Sequence, residues 1–165
     1  MARYRILFIC LGNICRSPMA EGVFRRAVEA RGLNDHVEID SAGLGNWHEG
    51  QAPDTRAQLA ARQRGIDISM QSARQIRRED FVHFDLLVAM DGSNHAELEL
   101  LAPPDARAKL RYLLDFASHT GMRDVPDPFF GGQEGFDRAL DLIEAASEGL
   151  LDTLIAEGKL AKSQG

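Results

Sequence analysis

Cysteine is scarce in this sequence: two residues in 165, Cys10 and Cys15, both near the N-terminus. So small and so close a pair offers no disulfide framework, and it points to a cytoplasmic, reducing setting. A basic excess is also missing. Nineteen Lys and Arg against 25 Asp and Glu leave a net charge of −6, which argues against nucleic acid or a membrane surface as partner, since both demand a basic face. The basic cluster Arg74–Arg78 is followed at once by Glu79 and Asp80 and reads as a solvated helix end. Long apolar runs are absent as well. Ile6-Leu7-Phe8-Ile9 after Arg5 is too short for a signal core or a membrane span, so neither is expected. The histidines, at 36, 48, 83, 95 and 119, have no ligand spacing, and no metal or other cofactor is expected. With no repeat, low-complexity tract or dividing linker, residues 1–165 read as one domain.

What the chain does contain is ordinary globular material, 44% hydrophobic and 27% charged, enough for a proper core. Short apolar runs alternate with longer periodic stretches, the signature of an α/β sheet. Arg5–Ile9 predicts a buried first strand and Ser17–Arg31 a helix, with Met19, Val23, Ala27 and Val28 on one stripe and Gly32 as its stop. Val37–Ser41 predicts a second strand, Asp54–Arg64 a helix stopped by Gly65, and Asp85–Met90 the clearest internal strand. Asn94–Leu101 predicts a helix and Lys109–Leu113 a fourth strand. Gly121–Gly135, rich in Pro, Gly and Asp, predicts a long loop, and Phe136–Ile155 a final helix despite Gly149. The sum is a four-stranded parallel sheet flanked by helices on both faces, with a phosphate-binding loop after the first strand.

That loop is Cys10-Leu11-Gly12-Asn13-Ile14-Cys15-Arg16. It stands where a strand delivers its backbone to a helix N-terminus, a ready anion site. Ser17 is a competent N-cap and Pro18 suits the first helical position. Gly12 and Asn13 are the residue types most tolerant of positive φ, which lets successive N–H groups curl inward around phosphate oxygens. Arg16 brings a planar fork matched to two of those oxygens. A cysteine at the base of such a site is expected as a thiolate, since thiols at helix N-termini titrate from roughly 3.5 to 7.5 against about 8.5 when free.

The string CLGNICRSP, together with Asp40-Ser41-Ala42, Trp47, Ala73-Arg74-Gln75-Ile76, Met90-Asp91, Ser93-Asn94 and Asp127-Pro128-Phe129-Phe130, resembles the low-molecular-weight protein tyrosine phosphatases along nearly the whole chain. Trp47 makes it more similar to their eukaryotic-like branch than to capsule-associated bacterial members. The resemblance implies a four-stranded parallel sheet, no cofactor or metal, and hydrolysis of phosphotyrosine through a phosphocysteine. It implies Cys10 as nucleophile, Arg16 with the loop N–H groups as the clamp on the phosphoryl oxygens, and Asp127 as the acid for the leaving phenolate and then the base for water. Asp91 and Asp124 are rival acids outside the matching motif.

By the same resemblance Ser17 bonds the sulfur, though helix capping is an equally ordinary task for it. Asn13 holds the strained turn with Ser41 as partner. Many relatives carry a His where this chain has Gln71, so the outer part of that network stays open. Trp47, Phe129 and Phe130 would wall the pocket, with plain core packing the alternative, above all for Phe130. Mammalian relatives carry phosphorylatable tyrosines where Phe129 and Phe130 stand, so that regulation is excluded here. Cys15 would be a redox partner of Cys10, or a small buried residue under the loop.

Two further classes share the loop. Arsenate reductases of this fold use additional downstream cysteines, and none follows Cys15. Phosphocysteine-carrying components of sugar transport need no Arg16 with Asp127. The expected partner is a phosphotyrosine protein or aryl phosphate, and the chain is expected as a monomer or weak dimer.

Overall fold

A computed structural model describes residues 3–160. Its strands are β1 (Tyr4–Cys10), β2 (Val37–Gly43), β3 (Leu86–Ala89) and β4 (Lys109–Tyr112). The helices are α1 (Arg16–Ala30), α2 (Thr55–Arg62), a single-turn α3 (Asp80–His83), α4 (Gly92–Leu101) and α5 (Gln133–Ala156). All strand pairs are parallel, in the order β2-β1-β3-β4.

The alternation of β1 explains its central place. Ile6, Phe8 and Cys10 face one core with Met19, Phe24, Leu140 and Ile143, while Leu7 and Ile9 face another with Phe81, Phe84, Leu87 and Leu98. A strand buried on both sides needs a continuous apolar run, which is what this segment offers. α1 and α5 cover the first face and pack on each other. Phe8 and Phe24 meet there with ring centroids 5.7 Å apart, each burial contributing about 1.5–3 kcal/mol.

α5 runs through Gly149 as expected, and the glycine permits a close approach there, since a Cβ would collide with the carbonyl oxygen of Phe116. Two local departures from the sequence reading have physical causes. α3 is only four residues long, too short to show a helical period. The expected cap at Ser17 is not formed. α1 starts one residue earlier, at Arg16, with Cys15 at the N-cap and no side-chain capping bond, and Pro18 falls within the first turn, where its missing N–H costs nothing.

Because β1 connects outward to β2 and the chain then crosses to β3 on its other side, the strand order reverses at β1. In open parallel sheets, ligands bind in the crevice at the carboxyl ends of strands flanking such a point. Here those ends deliver Cys10 from β1 and, just past β3, Asp91.

Candidate active site

The loop between Cys10 and Arg16 is held from outside by its carbonyls. Those of Cys10, Leu11 and Ile14 accept from the N–H groups of Leu44, Gly45 and Asp54 at 3.0, 3.0 and 2.8 Å. Carbonyls taken up on the outer side are what an inward-facing nest of N–H groups requires. Asn13 is the one non-glycine residue with positive φ, +59°, among the described residues. Gly12, expected to share that conformation, does not. Its lack of a side chain serves space instead, since a Cβ would lie 3.1 Å from Cδ2 of His48.

The Asn13 amide fixes a chain of hydrogen bonds with a definite direction. Its Nδ2 donates to Ser17 Oγ at 2.8 Å and to Ser41 Oγ at 3.0 Å, while its Oδ1 accepts from the Arg74 N–H at 3.0 Å. With an amide hydrogen on each hydroxyl oxygen, both serine protons point away from Asn13. The Ser17 proton is thereby left free for Cys10 Sγ, 2.9 Å away, and Ser41 donates to Glu21 Oε1 at 2.7 Å.

Glu21 ends this chain and also accepts from Arg25 Nη2 at 3.1 Å. Burial raises its pKa above the ordinary carboxylate value, outweighing the opposite pull of the bonds from Ser41 and Arg25. Gln71 stands apart from this network. Its Nε2 donates to the Pro18 carbonyl at 3.0 Å and its buried Oε1 has no partner.

Arg16 is almost wholly buried, at 3% exposure. Its Nη1 donates to Asp91 Oδ2 at 2.6 Å and to the Val125 carbonyl at 2.9 Å, and Nη2 lies 3.6 Å from Asp127 Oδ2. Burial opposes its charge, but Cys10, Asp91 and Asp127 together outweigh that and raise its pKa. Asp91 uses its second oxygen to cap α4, accepting from the Asn94 N–H at 2.8 Å. Asp124, the other rival acid, accepts from the Gly92 N–H at 3.0 Å and does not line the cleft.

Above the loop lies a cleft of about 150 Å³. Its floor is Cys10 to Gly12 and Ile14 to Arg16, and its rim is Trp47, His48, Asp127, Phe129 and Phe130. The structure thus brings Cys10, Arg16, Asp127 and all three aromatic candidates to one opening. Phe130 is 92% exposed and Trp47 65%, so neither is core. Phe129 is half-buried and meets Phe130 edge-on at 5.0 Å. Asp127 Oδ1 accepts from the Phe129 N–H at 3.1 Å, which turns the carboxylate back over the loop.

Cys15 is buried beside Cys10, and both thiols are free. Burial above all, then the Asp54 carboxylate, pushes the Cys15 pKa far above that of an ordinary thiol. Among the described residues no three His, Cys, Asp or Glu side chains cluster as metal ligands, and no helix is long and apolar enough to cross a membrane.

Sequence reasoning did not find Glu21, His48 or the anchoring role of Asp91. Local pattern gave no signal for Glu21, which stands two residues from both Met19 and Val23 and so off their stripe. The other two depend on contacts between distant segments.

Comparison with known proteins agrees with this geometry. The low molecular weight phosphotyrosine protein phosphatase family matches residues 5–160. A low molecular weight protein-tyrosine-phosphatase of Streptomyces coelicolor is 46% identical over 151 residues, 90% of this chain and 92% of its own. A protein tyrosine phosphatase crystal structure from Entamoeba histolytica superposes with a TM-score of 0.89 at 38% identity, covering 95% of this chain and 99% of that one. A Drosophila arginine phosphatase superposes with a TM-score of 0.85 at 36% identity, covering 90% and 96%. The chain belongs to the low molecular weight phosphotyrosine protein phosphatase family.

Proposed function

We propose that this enzyme hydrolyses phosphotyrosine and other aryl phosphate monoesters through a phosphocysteine, acting on a phosphotyrosine protein in the cytoplasm as a single domain. The observation that carries this reading is the meeting of Cys10, Arg16 and Asp127 in one cleft rimmed by Trp47, Phe129 and Phe130. A flat ring between those aromatic walls would hold the phosphoryl group at the depth of Cys10, while a phosphoserine would fall short.

In the reaction, Cys10 Sγ attacks phosphorus in line with the phenolic oxygen. Arg16 and the loop N–H groups take up the equatorial oxygens, where charge spreads in the transition state. Protonated Asp127 gives its proton to the departing phenolate, and the resulting carboxylate takes a proton from the water that opens phosphocysteine. Ser17 donates to the sulfur before attack and again as it leaves. Asn13 and Ser41 keep Ser17 aimed, and neither needs to touch substrate.

A second reading follows from the similarity to an arginine phosphatase: the leaving atom would be a guanidinium nitrogen rather than a phenolic oxygen. Hydrolysis of a phosphotyrosine peptide, p-nitrophenyl phosphate and free phosphoarginine by one preparation separates the two. We expect the aryl esters to be preferred, Cys10→Ser to be inactive, and Asp127→Ala to lose about 10²–10⁴-fold, the usual worth of a positioned acid. Preference for phosphoarginine would replace the first reading with the second.

A further inference from the structure

We infer that Arg56, in the first turn of α2, is a positioning residue that locks the Asp127 loop onto the phosphate-binding loop. This rests on the assignment of Asp127 as the acid. The connection begins at Ile14, whose carbonyl accepts from the Asp54 N–H at 2.8 Å. Asp54 caps α2 by accepting from the Arg56 N–H at 2.8 Å, and its carboxylate takes Nε and Nη2 of the same residue at 3.1 and 3.0 Å. The guanidinium, fixed in this fork, turns its remaining Nη1 to the Gly131 carbonyl at 3.0 Å. Its carbon lies 5.5 Å from the Phe129 ring centroid and 4.8 Å from that of Phe136. From the other side, Gln133 Nε2 donates to the Arg56 carbonyl at 3.0 Å.

One side chain therefore ties the phosphate-binding loop to Phe129, Gly131 and the start of α5. The loop needs such a tie on this side. Upstream of Asp127 it is already held, because the Val125 N–H donates to the Met90 carbonyl at 2.8 Å and the Val125 carbonyl accepts from Arg16. Downstream come Gly131 and Gly132, the most permissive of backbones. Phe129 is the residue whose N–H turns the Asp127 carboxylate, so whatever holds Phe129 also aims the acid. The ordinary alternative is a partly exposed Arg56–Asp54 pair that contributes little beyond local stability. That alternative gives no reason for the same guanidinium to engage two rings and a loop carbonyl. Lysine, a point charge without the fork, cannot make these contacts together.

The test is kcat/KM across aryl phosphates whose leaving phenols span a wide range of acidity, for wild type, Arg56→Met, Arg56→Lys, Asp127→Ala and Asp127→Ala with Arg56→Met. A misplaced acid harms poor leaving groups most. For phenyl phosphate, Arg56→Met should lose about 10- to 100-fold, the scale of a 1 Å misplacement. The ester of the most acidic phenol should lose far less, Arg56→Lys should fall between, and adding Arg56→Met to Asp127→Ala should steepen nothing further. Equal loss across the series, no loss, or an additive effect in the double variant would overturn the inference. If Asp127→Ala itself shows no dependence on the leaving group, the acid assignment fails instead. Should Arg56→Met not fold, Arg56→Lys carries the same comparison, and a flat profile there is equally decisive.

Discussion

Arg16 and Asp91, 75 positions apart in sequence, are joined by a 2.6 Å hydrogen bond from Nη1 to Oδ2. The same Asp91 carboxylate caps α4, so one residue ties the Arg16 guanidinium to the start of that helix. Asn caps a helix as well as Asp does, which allows the two tasks to be separated. Asp91→Asn keeps the cap but takes the charged partner from the buried Arg16, so kcat/KM should fall about tenfold or more and stability should drop by about 1.5–3 kcal/mol, the usual contribution of a hydrogen bond between charged groups. Asp91→Ala should show the same kinetic loss and lower stability by about 1 kcal/mol more for the missing cap. Tighter phosphate binding in Asp91→Asn would mean that the carboxylate only competes with the substrate for Arg16.

Asn13 combines a left-handed backbone with three hydrogen bonds. Asn13→Gly keeps the conformation and loses the bonds, whereas Asn13→Ala loses both. Alanine should be less stable than glycine by about 1–2 kcal/mol, the cost of left-handed φ in a residue with a Cβ. Both should alkylate more slowly at Cys10, because Ser17 is no longer held in place. If both labelled at the wild-type rate, Ser17 would not depend on Asn13 for its aim.

Much of the fold was legible because β1 and the start of α1 announce themselves locally. An apolar strand, a loop of tolerant residues and Pro18 occupy one continuous stretch. All four strands and the main helices fell where hydrophobic runs and periods put them, with shifts at their ends. The supports of the site were not legible. Asp91 read as a rival acid, Asp54 and Arg56 as ordinary residues at a helix start, and their tasks exist only once β3 and α2 lie beside the Cys10–Arg16 loop. Ser17 shows the opposite failure: local capping rules gave it a task that the bond to Cys10 overrode.

Cys15 should remain a thiol at neutral pH, since burial holds its pKa far up. Peroxide would then oxidise Cys10 first, to a sulfenic acid, and the Cys15 thiol would condense with it to a disulfide, releasing water. Brief peroxide treatment followed by dithiothreitol should restore wild type and leave Cys15→Ser partly inactive through sulfinic Cys10. Equal recovery of the two would remove the protective role.

Glu21 gives stability a pH dependence of definite sign. Its pKa is raised in the folded state from an ordinary value of 4.5, so the folded protein holds that proton more tightly than the unfolded chain does. Its contribution is most favourable below the ordinary value and declines as pH rises through the folded one. Glu21→Gln still offers Ser41 an acceptor and has nothing to titrate. Its thermal midpoint should therefore gain on wild type as pH is raised from about 4 to 7. A difference that stays flat or shrinks would contradict a raised pKa.

The central claim is that phosphate passes through Cys10 sulfur, and the most direct measurement is to trap it there. Wild type and Asp127→Ala, mixed with p-nitrophenyl phosphate and quenched in acid within one turnover, can be digested and the peptides weighed. One phosphoryl group should appear on the peptide carrying Cys10, localised to that sulfur, and should be absent from Cys10→Ser. A phosphoryl group on any other residue, or turnover by Cys10→Ser, would contradict the account.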